Sequence, residues 1–70
     1  MNITIFGASG AIGQLLTRLA LDHGDFVTAY VRNPHKISLK HPKLSFVQGE
    51  LSNASTIEEA VAKSDVVISH

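Results

Sequence analysis

Three glycines near the start of the chain could place bare backbone beside a ligand. Gly7, Gly10 and Gly13 are spaced three residues apart, between a short apolar run and a helical pattern of leucines. A glycine-rich turn at such a junction presents backbone N–H groups and the positive end of a helix, which together attract phosphate. We therefore expect a phosphate-bearing nucleotide to bind here; the alternative is a turn with a structural role only. A Walker A loop does not fit, because Gln14 and Leu15 follow Gly13 where Lys and Ser or Thr are required.

The three glycines have separate expected roles. Gly7 permits the bend off the first strand, Gly10 allows a pyrophosphate to approach the backbone, and Gly13 allows the helix to lie close to the sheet. The spacing is G-x-x-G-x-x-G, which differs from the G-x-G-x-x-G of classical dehydrogenases.

Arg32 follows the second apolar strand, where a site specific for NAD usually places Asp or Glu to bind the ribose hydroxyls. Here that place is held by Val31. A guanidinium can bind a 2′-phosphate with two hydrogen bonds, so the sequence predicts a preference for NADP(H). Lys36 is expected to add long-range attraction. The alternative is a solvated surface arginine.

The remaining polar residues suggest no reaction chemistry. The four histidines show no metal-ligand spacing: His23, His35, His41 and His70. Tyr30 is the single tyrosine and Pro34 lies four residues further on, so the Tyr-x-x-x-Lys pair of many short-chain dehydrogenases is absent. No nucleophile–base pair can be proposed, and the catalytic residues stay unknown.

The elements that would position these residues alternate between strand and helix. Ile12, Leu15, Leu16 and Leu19 recur at helical spacing and predict a helix packed on a sheet. Gly24 is expected to cap that helix, and Ser55 through Glu58 forms a capping box that opens a second one. The expected strands are Asn2–Phe6, Phe26–Val31, Leu44–Gln48 and Asp65–Ser69, and the expected helices are Ala11–His23 and a segment from Ser55 to Ala62 or Lys63.

These elements predict an α/β fold, the N-terminal half of a Rossmann-type doubly wound parallel sheet with strand order 3-2-1-4. Residues 33–43 are expected to be a loop with at most a brief helix begun by Asn33 and Pro34. Ligands of such sheets bind beyond the carboxyl ends of the strands, at the reversal of strand order.

The amino-acid composition limits the classes of partner that the chain is expected to bind. The chain has 44% hydrophobic residues, a formal net charge of zero and no cysteine. No basic stripe favours nucleic acid, and disulfides and thiolate metal sites are excluded. The first basic residue is Arg18 and the apolar runs are short, so neither a secretory signal nor a membrane span is expected. We expect a cytoplasmic protein with no metal.

Length raises a question of stability. Residues 1–70 supply one half of a dinucleotide fold, and a core of this size rarely stabilises a chain by more than about 3–5 kcal/mol. We expect a half-Rossmann unit of a longer protein. In a genuine 70-residue product, the fourth strand would leave Val66, Val67 and Ile68 at an unpaired edge, which predicts that such a product dimerises or aggregates through that edge.

Four motifs in this order resemble the atypical short-chain dehydrogenase/reductase superfamily: GASGAIG, VRNP, Gly49-Glu50-Leu51 and DVVIS. The nearest branch is the NAD(P)H-binding, NmrA-like group that includes flavin and biliverdin-IXβ reductases and quinone reductases. The resemblance covers essentially the whole chain.

The resemblance implies a role for individual residues. The phosphates would be lined by Gly7, Ser9, Gly10, Ala11, Ile12 and Gly13, with Ser9 near the adenosine side. Arg32 would bind the 2′-phosphate, Glu50 and Leu51 would lie beside the adenine, and Ile68 and Ser69 would cover the adenine ribose. Two positions depart from the family pattern: Glu50 replaces the usual Asp, and His70 replaces a small residue.

The same resemblance implies an NADPH-dependent oxidoreductase that transfers hydride to a flavin, a quinone or a similar acceptor. Two alternatives remain: an NmrA-like regulator that senses dinucleotide without turning it over, and the N-terminus of a sugar-nucleotide epimerase or dehydratase.

Overall fold

The structure, a computed structural model, describes residues 1–8, 10–32, 39–49 and 54–69. Gly24 ends the first helix with φ of 96°, in the left-handed region, and its N–H donates to the Leu21 carbonyl at 3.0 Å, so the predicted glycine cap is confirmed. The first three strands and the first helix have the predicted bounds. In chain order the elements are β1 (Asn2–Phe6), α1 (Ala11–His23), β2 (Phe26–Val31), β3 (Leu44–Gln48), α2 (Ala54–Lys63) and β4 (Val66–Ser69).

Two element boundaries differ from those predicted. Helix α2 begins at Ala54, so Ser55 lies inside its first turn and the prediction that Ser55 caps the helix is wrong. Strand β4 begins at Val66, one residue later than predicted, and Asp65 is hydrogen-bonded to Asn2 just before it. Residues 39–43 form neither helix nor strand, as expected for that part of the loop, and the predicted turn at Asn33 and Pro34 lies outside the described residues.

The sheet is parallel, with strand order β3-β2-β1-β4. The predicted Rossmann-type order is therefore confirmed. Right-handed crossovers that move first toward β3 and then back to β4 place α1 and α2 on opposite faces of the sheet. β1 lies between β2 and β4, at the point where the direction of the connections reverses.

Alternate residues of the strands build a core on each face. On the α1 face, Ile5, Val27, Ala29 and Val31 are buried together with Leu21 of the helix. On the opposite face, the rings of Phe6 and Tyr30 stack with centroids 4.8 Å apart, beside the buried Ala60 of α2. Because strand side chains alternate, neighbouring residues of β1 contribute to different clusters.

The prediction for the packed face of α1 is wrong at three of its four positions. Ile12, Leu15 and Leu19 are 52%, 56% and 56% exposed, and only Leu16 packs against the core. The buried residues of α1 are instead Gly13, Thr17 and Leu21. The contact between Gly13 and the preceding turn fixes the rotation of the helix, and at about 100° per residue it carries the apolar stripe away from the sheet.

Side chains hold the amino ends of the strands in place. The Asn2 N–H donates to Asp65 Oδ2 and the Asp65 N–H donates to the Asn2 carbonyl, both at 2.8 Å, which aligns β4 with β1. The hydroxyl groups of Thr4 and Ser64 are hydrogen-bonded across the same junction.

Asp25, just before β2, is another anchor at this end. Its carboxylate is buried and accepts hydrogen bonds from the amino group of Met1 at 3.3 Å and from His23 Nδ1 at 3.0 Å. Burial alone would raise the pKa of Asp25, but these two partners outweigh it and lower the pKa below its ordinary value.

Candidate functional site

The predicted site lies at the carboxyl ends of the strands, where backbone hydrogen bonds hold three segments side by side. The Gly7 N–H, just after β1, donates to the Tyr30 carbonyl of β2 at 3.3 Å. The Gly49 N–H, just after β3, donates to the Val31 carbonyl at 3.0 Å. The glycine turn, the Arg32 segment and the end of β3 therefore meet at one edge of the sheet.

The glycine turn is closed by its own backbone. Gly7 has φ of 79°, a backbone conformation that residues other than glycine rarely adopt. The Gly10 N–H donates to the Gly7 carbonyl at 3.3 Å, and the Gln14 N–H donates to the Gly10 carbonyl at 2.9 Å, which begins α1. Gly7 thus provides the tight bend that the sequence predicted.

Gly13 is required because the turn contacts it directly. A Cβ atom at Gly13 would lie 2.8 Å from Ala8 Cα and would also overlap the Gly7 carbonyl oxygen. Both obstacles are backbone atoms, so no side-chain rotation relieves the clash. The close approach predicted for Gly13 is present, and its partner is the turn that leaves β1.

Gly10 has room for a Cβ atom among the described atoms, whereas Gly13 has none. It is exposed and is the residue before α1, with extended φ of −73° and ψ of 164° and no side-chain capping bond. A Cβ there would meet only the Gly7 carbonyl oxygen, at 3.7 Å, among the described atoms. Since neither its conformation nor a contact with the described residues demands glycine, free access to the backbone is a physical reason for a glycine here.

Arg32 is exposed at the tip of β2. Its carbonyl accepts a hydrogen bond from Gln48 Nε2 at 3.3 Å. No ion pair joins its guanidinium to any residue of the described segments. A positive charge thus lies at the edge that also carries the glycine turn.

The geometry and the sequence together identify the family. Residues 7–70 match the sequence family described as NAD(P)H-binding. The chain belongs to this NAD(P)H-binding family. The match confirms the resemblance to NAD(P)H-binding short-chain dehydrogenase/reductase proteins, whereas the NmrA-like branch stays a prediction.

A curated relative of this NAD(P)H-binding chain is Probable pinoresinol-lariciresinol reductase 3 of Arabidopsis thaliana. The two are 37% identical over 72 residues, which covers 97% of this chain and 24% of the relative. The photosystem II assembly factor Ycf39 of Cyanophora paradoxa is 35% identical over 69 residues, 97% of this chain and 22% of the relative. The chain thus spans less than a quarter of either protein.

Solved structures share the fold. A candidate epimerase from Bacteroides thetaiotaomicron has a TM-score of 0.88 and 37% identity, over 97% of this chain and 32% of that one. WbmH of Bordetella bronchiseptica, solved in complex with NAD⁺, has a TM-score of 0.83 and 24% identity, over 99% of this chain and 25% of that one. The second likeness extends to the fold alone.

The other predicted site residues of this NAD(P)H-binding domain have varied surroundings. Ala11 and Ile12 are exposed in the first turn of α1, next to Gly10. Ile68 is half-buried against the core on the α1 face, and Ser69 is exposed at the end of β4, paired with Phe6. Four residues lie outside the described segments: Ser9, Glu50, Leu51 and His70.

Sequence reasoning missed two residues at this edge. Ala8 is 2% exposed and packs into the core, so it anchors the turn from inside the domain. Gln48 was predicted only as the end of a strand, yet its side chain reaches Arg32. A small apolar residue between glycines indicates the buried role of Ala8. The contact of Gln48 with Arg32 depends on the register between β2 and β3.

The described part of the site holds no acid–base pair. Tyr30 is 2% exposed and stacks on Phe6, which keeps its ring inside the domain. Within the described segments, the pKa is shifted at Asp25 and at Lys63, which precede β2 and β4 at the opposite end of the sheet. Among the described residues, no three His, Asp or Glu side chains are grouped to hold a metal ion. No described helix is long and apolar enough to cross a membrane.

Proposed function

We propose that this domain binds NADP(H), with the pyrophosphate at the turn from Gly7 to Gly13 and the 2′-phosphate at Arg32. The observation that supports the proposal most directly is the contrast between Gly13, which backbone atoms contact, and Gly10, which is open. Gly10 also begins a helix, whose positive end and free N–H groups favour an anion.

Arg32 supports the choice of NADP(H) over NAD(H). It follows β2 directly, it is exposed, and the place of the usual ribose-binding carboxylate is held by Val31. A hydrogen bond to a charged group contributes about 1.5–3 kcal/mol, which corresponds to a preference of about 10- to 150-fold.

The proposal extends to the other residues of the edge. Ala11 and Ile12 would complete the phosphate-binding turn with Ser9, and Ile68 and Ser69 would lie beside the adenine ribose. Glu50 and Leu51 would lie beside the adenine. These assignments depend on the family resemblance and on the exposure of Ala11, Ile12 and Ser69 near the same edge.

The experiment is a calorimetric titration of the protein with NADPH and with NADH. We expect tighter binding of NADPH, and we expect Arg32→Ala to remove most of the difference while leaving NADH affinity unchanged. Arg18→Ala is the matched control, because Arg18 is an exposed arginine on α1. Equal NADPH/NADH affinity ratios before and after Arg32→Ala would remove Arg32 from the site, and no binding of either dinucleotide would end the proposal.

We further propose that the domain serves an NADPH-dependent reductase, cytoplasmic and acting on a flavin, quinone or similar acceptor. The 37% identity with a plant protein named as a reductase supports this class. The cofactor supplies the hydride, and the domain holds its adenosine and phosphate parts. Loss of the reduced nicotinamide absorbance on addition of a flavin or quinone tests the activity, whereas tight binding without oxidation indicates a dinucleotide sensor.

An epimerase is the second candidate, favoured by the 37% identity with the Bacteroides protein. Such enzymes act on sugar nucleotides, so a nucleoside diphosphate sugar is the substrate to test. Conversion of that sugar without net change in nicotinamide absorbance would favour the epimerase over the reductase.

We also propose that a product of these 70 residues alone self-associates through β4. β4 is an edge strand, with Val66 39% and Val67 37% exposed. A sizing experiment at micromolar concentration is expected to show dimers or larger species, and a clean monomer would contradict this.

A further inference from the structure

Gln48 occupies a distinctive place at the carboxyl edge of the sheet. It is the last residue of β3 and is paired in register with Val31, the last residue of β2. Its exposed side chain extends past the end of the strand, and Nε2 donates to the Arg32 carbonyl at 3.3 Å. The contact therefore falls on the residue that we assign to the 2′-phosphate.

This contact adds a side-chain hydrogen bond just beyond the paired strands. Within the described residues, the Gly49 N–H donates to the Val31 carbonyl at 3.0 Å. The next carbonyl in the chain is that of Arg32, just after β2, and the side-chain amide of Gln48 supplies its donor. Because that bond restricts rotation of the Arg32 peptide group, it also restricts the direction in which the Arg32 side chain extends from the backbone.

We propose that Gln48 is a positioning residue that directs Arg32 toward a 2′-phosphate and so strengthens the preference for NADP(H). The inference rests on the proposed function. A neutral amide suits the role, because it donates to a carbonyl without attracting the guanidinium. A carboxylate in its place would pair with Arg32 and repel the phosphate.

The test is the substitution Gln48→Met, which keeps the length of the side chain and removes the donor. We expect the dissociation constant for NADPH to rise about two- to tenfold, the range that one neutral hydrogen bond accounts for. NADH affinity should stay unchanged, since NADH has no 2′-phosphate for Arg32 to bind. Ser45→Ala, at another exposed position of β3, is the control for a general loss of strand stability.

A double-mutant cycle separates positioning from a structural effect. In an Arg32→Ala background, Gln48→Met should leave NADPH affinity unchanged, because no guanidinium remains to be directed. An equal fall for NADPH and NADH, or the same fall in both backgrounds, would overturn the inference.

The outcomes also distinguish this inference from the proposed function. If the unmodified protein prefers NADPH and Gln48→Met leaves that preference intact, only the role of Gln48 is lost. If the unmodified protein binds neither dinucleotide, the proposed function fails and the role of Gln48 fails with it.

Discussion

At the amino end of the sheet, hydrogen bonds of side chains hold the strands together. At the carboxyl end, backbone hydrogen bonds of glycine residues connect the segments. Asp25 and Asp65 each bridge two segments through a carboxylate, and Thr4 is hydrogen-bonded to Ser64. Gly7 and Gly10 close the opposite turn through backbone atoms. Side-chain polar groups are thus satisfied within the chain at one end, while at the other end backbone groups and a guanidinium face outward.

Residues at the amino end of the sheet should therefore contribute to stability, and residues at the carboxyl end to binding. Substitutions at the amino end should alter the free energy of unfolding and leave dinucleotide affinity unchanged. Substitutions at the open part of the carboxyl edge should do the reverse, except where the turn itself is packed.

Gly13→Ala should have the largest effect. In an ordinary exposed helix this change stabilises by about 1 kcal/mol. Here the new Cβ meets backbone atoms of Gly7 and Ala8, so we expect destabilisation of about 3 kcal/mol. Thermal unfolding followed by circular dichroism checks the sign, and a stabilised variant would show that the turn is not packed on the helix.

Gly10→Asp should leave the fold intact and weaken binding. Asp is a good residue at the start of a helix, so the free energy of unfolding should change by less than about 0.5 kcal/mol. A carboxylate at the open position should repel the pyrophosphate and raise the dissociation constants of NADPH and NADH by at least about tenfold. Gly10→Asn has the same shape without the charge and is the control; unchanged affinity in both variants would place the pyrophosphate elsewhere.

Asp25→Asn should change how stability depends on pH. The pKa of Asp25 is below its ordinary value of 3.8 in the folded chain, so the unfolded chain holds more protons in that range. Stability should therefore fall as the pH drops from near 4 through the lowered pKa, and the variant should lose that part of the acid dependence.

Asp22→Asn is the control for Asp25→Asn, because Asp22 is exposed on α1. Acid denaturation curves compare the two variants. Identical acid limbs for both would show that the contacts of Asp25 with Met1 and His23 do not contribute.

Glu59→Gln should have the smallest effect. Lys63 Nζ lies 2.6 Å from Glu59 Oε1, and this hydrogen bond raises the pKa of Lys63, but both side chains are more than half exposed. Solvent screening leaves such pairs with little net contribution. We expect no measurable change in Tm at neutral pH, and a clear drop would mean that α2 depends on this pair.

Much of the fold followed from local patterns. Short apolar runs rich in β-branched residues, such as Phe26–Val31, predicted the strands, and Gly24 marked the end of α1. The strand order was predicted as the standard order of a Rossmann-type half, and the right-handedness of crossovers limited the alternatives. These features depend on residues close in sequence or on general chirality.

The errors arose where tertiary contacts decide. The apolar spacing of Ile12, Leu15 and Leu19 predicted a packed face, but the contact at Gly13 sets the rotation of α1. Ser55 was predicted as a cap from its residue type and its spacing to Glu58, whereas the helix begins one residue earlier, at Ala54.

The residues of the site also divide into those that local patterns predict and those that tertiary contacts decide. The glycine turn and Arg32 were identifiable from residue type and from their place after a strand. The contact of Gln48 with Arg32 was not, since it requires the register of β2 against β3 and a side-chain direction.

The packing of Gly13 against Gly7 and Ala8 has a consequence for how a ligand would be received. Because backbone atoms leave no room between Gly13 and the turn at Gly7 and Ala8, we expect that turn and the start of the helix to move together. A rigid receptor loses little conformational entropy when it is filled, so more of the contact energy remains as affinity. Association should then follow a single exponential whose rate rises linearly with dinucleotide concentration, without a slow rearrangement afterwards.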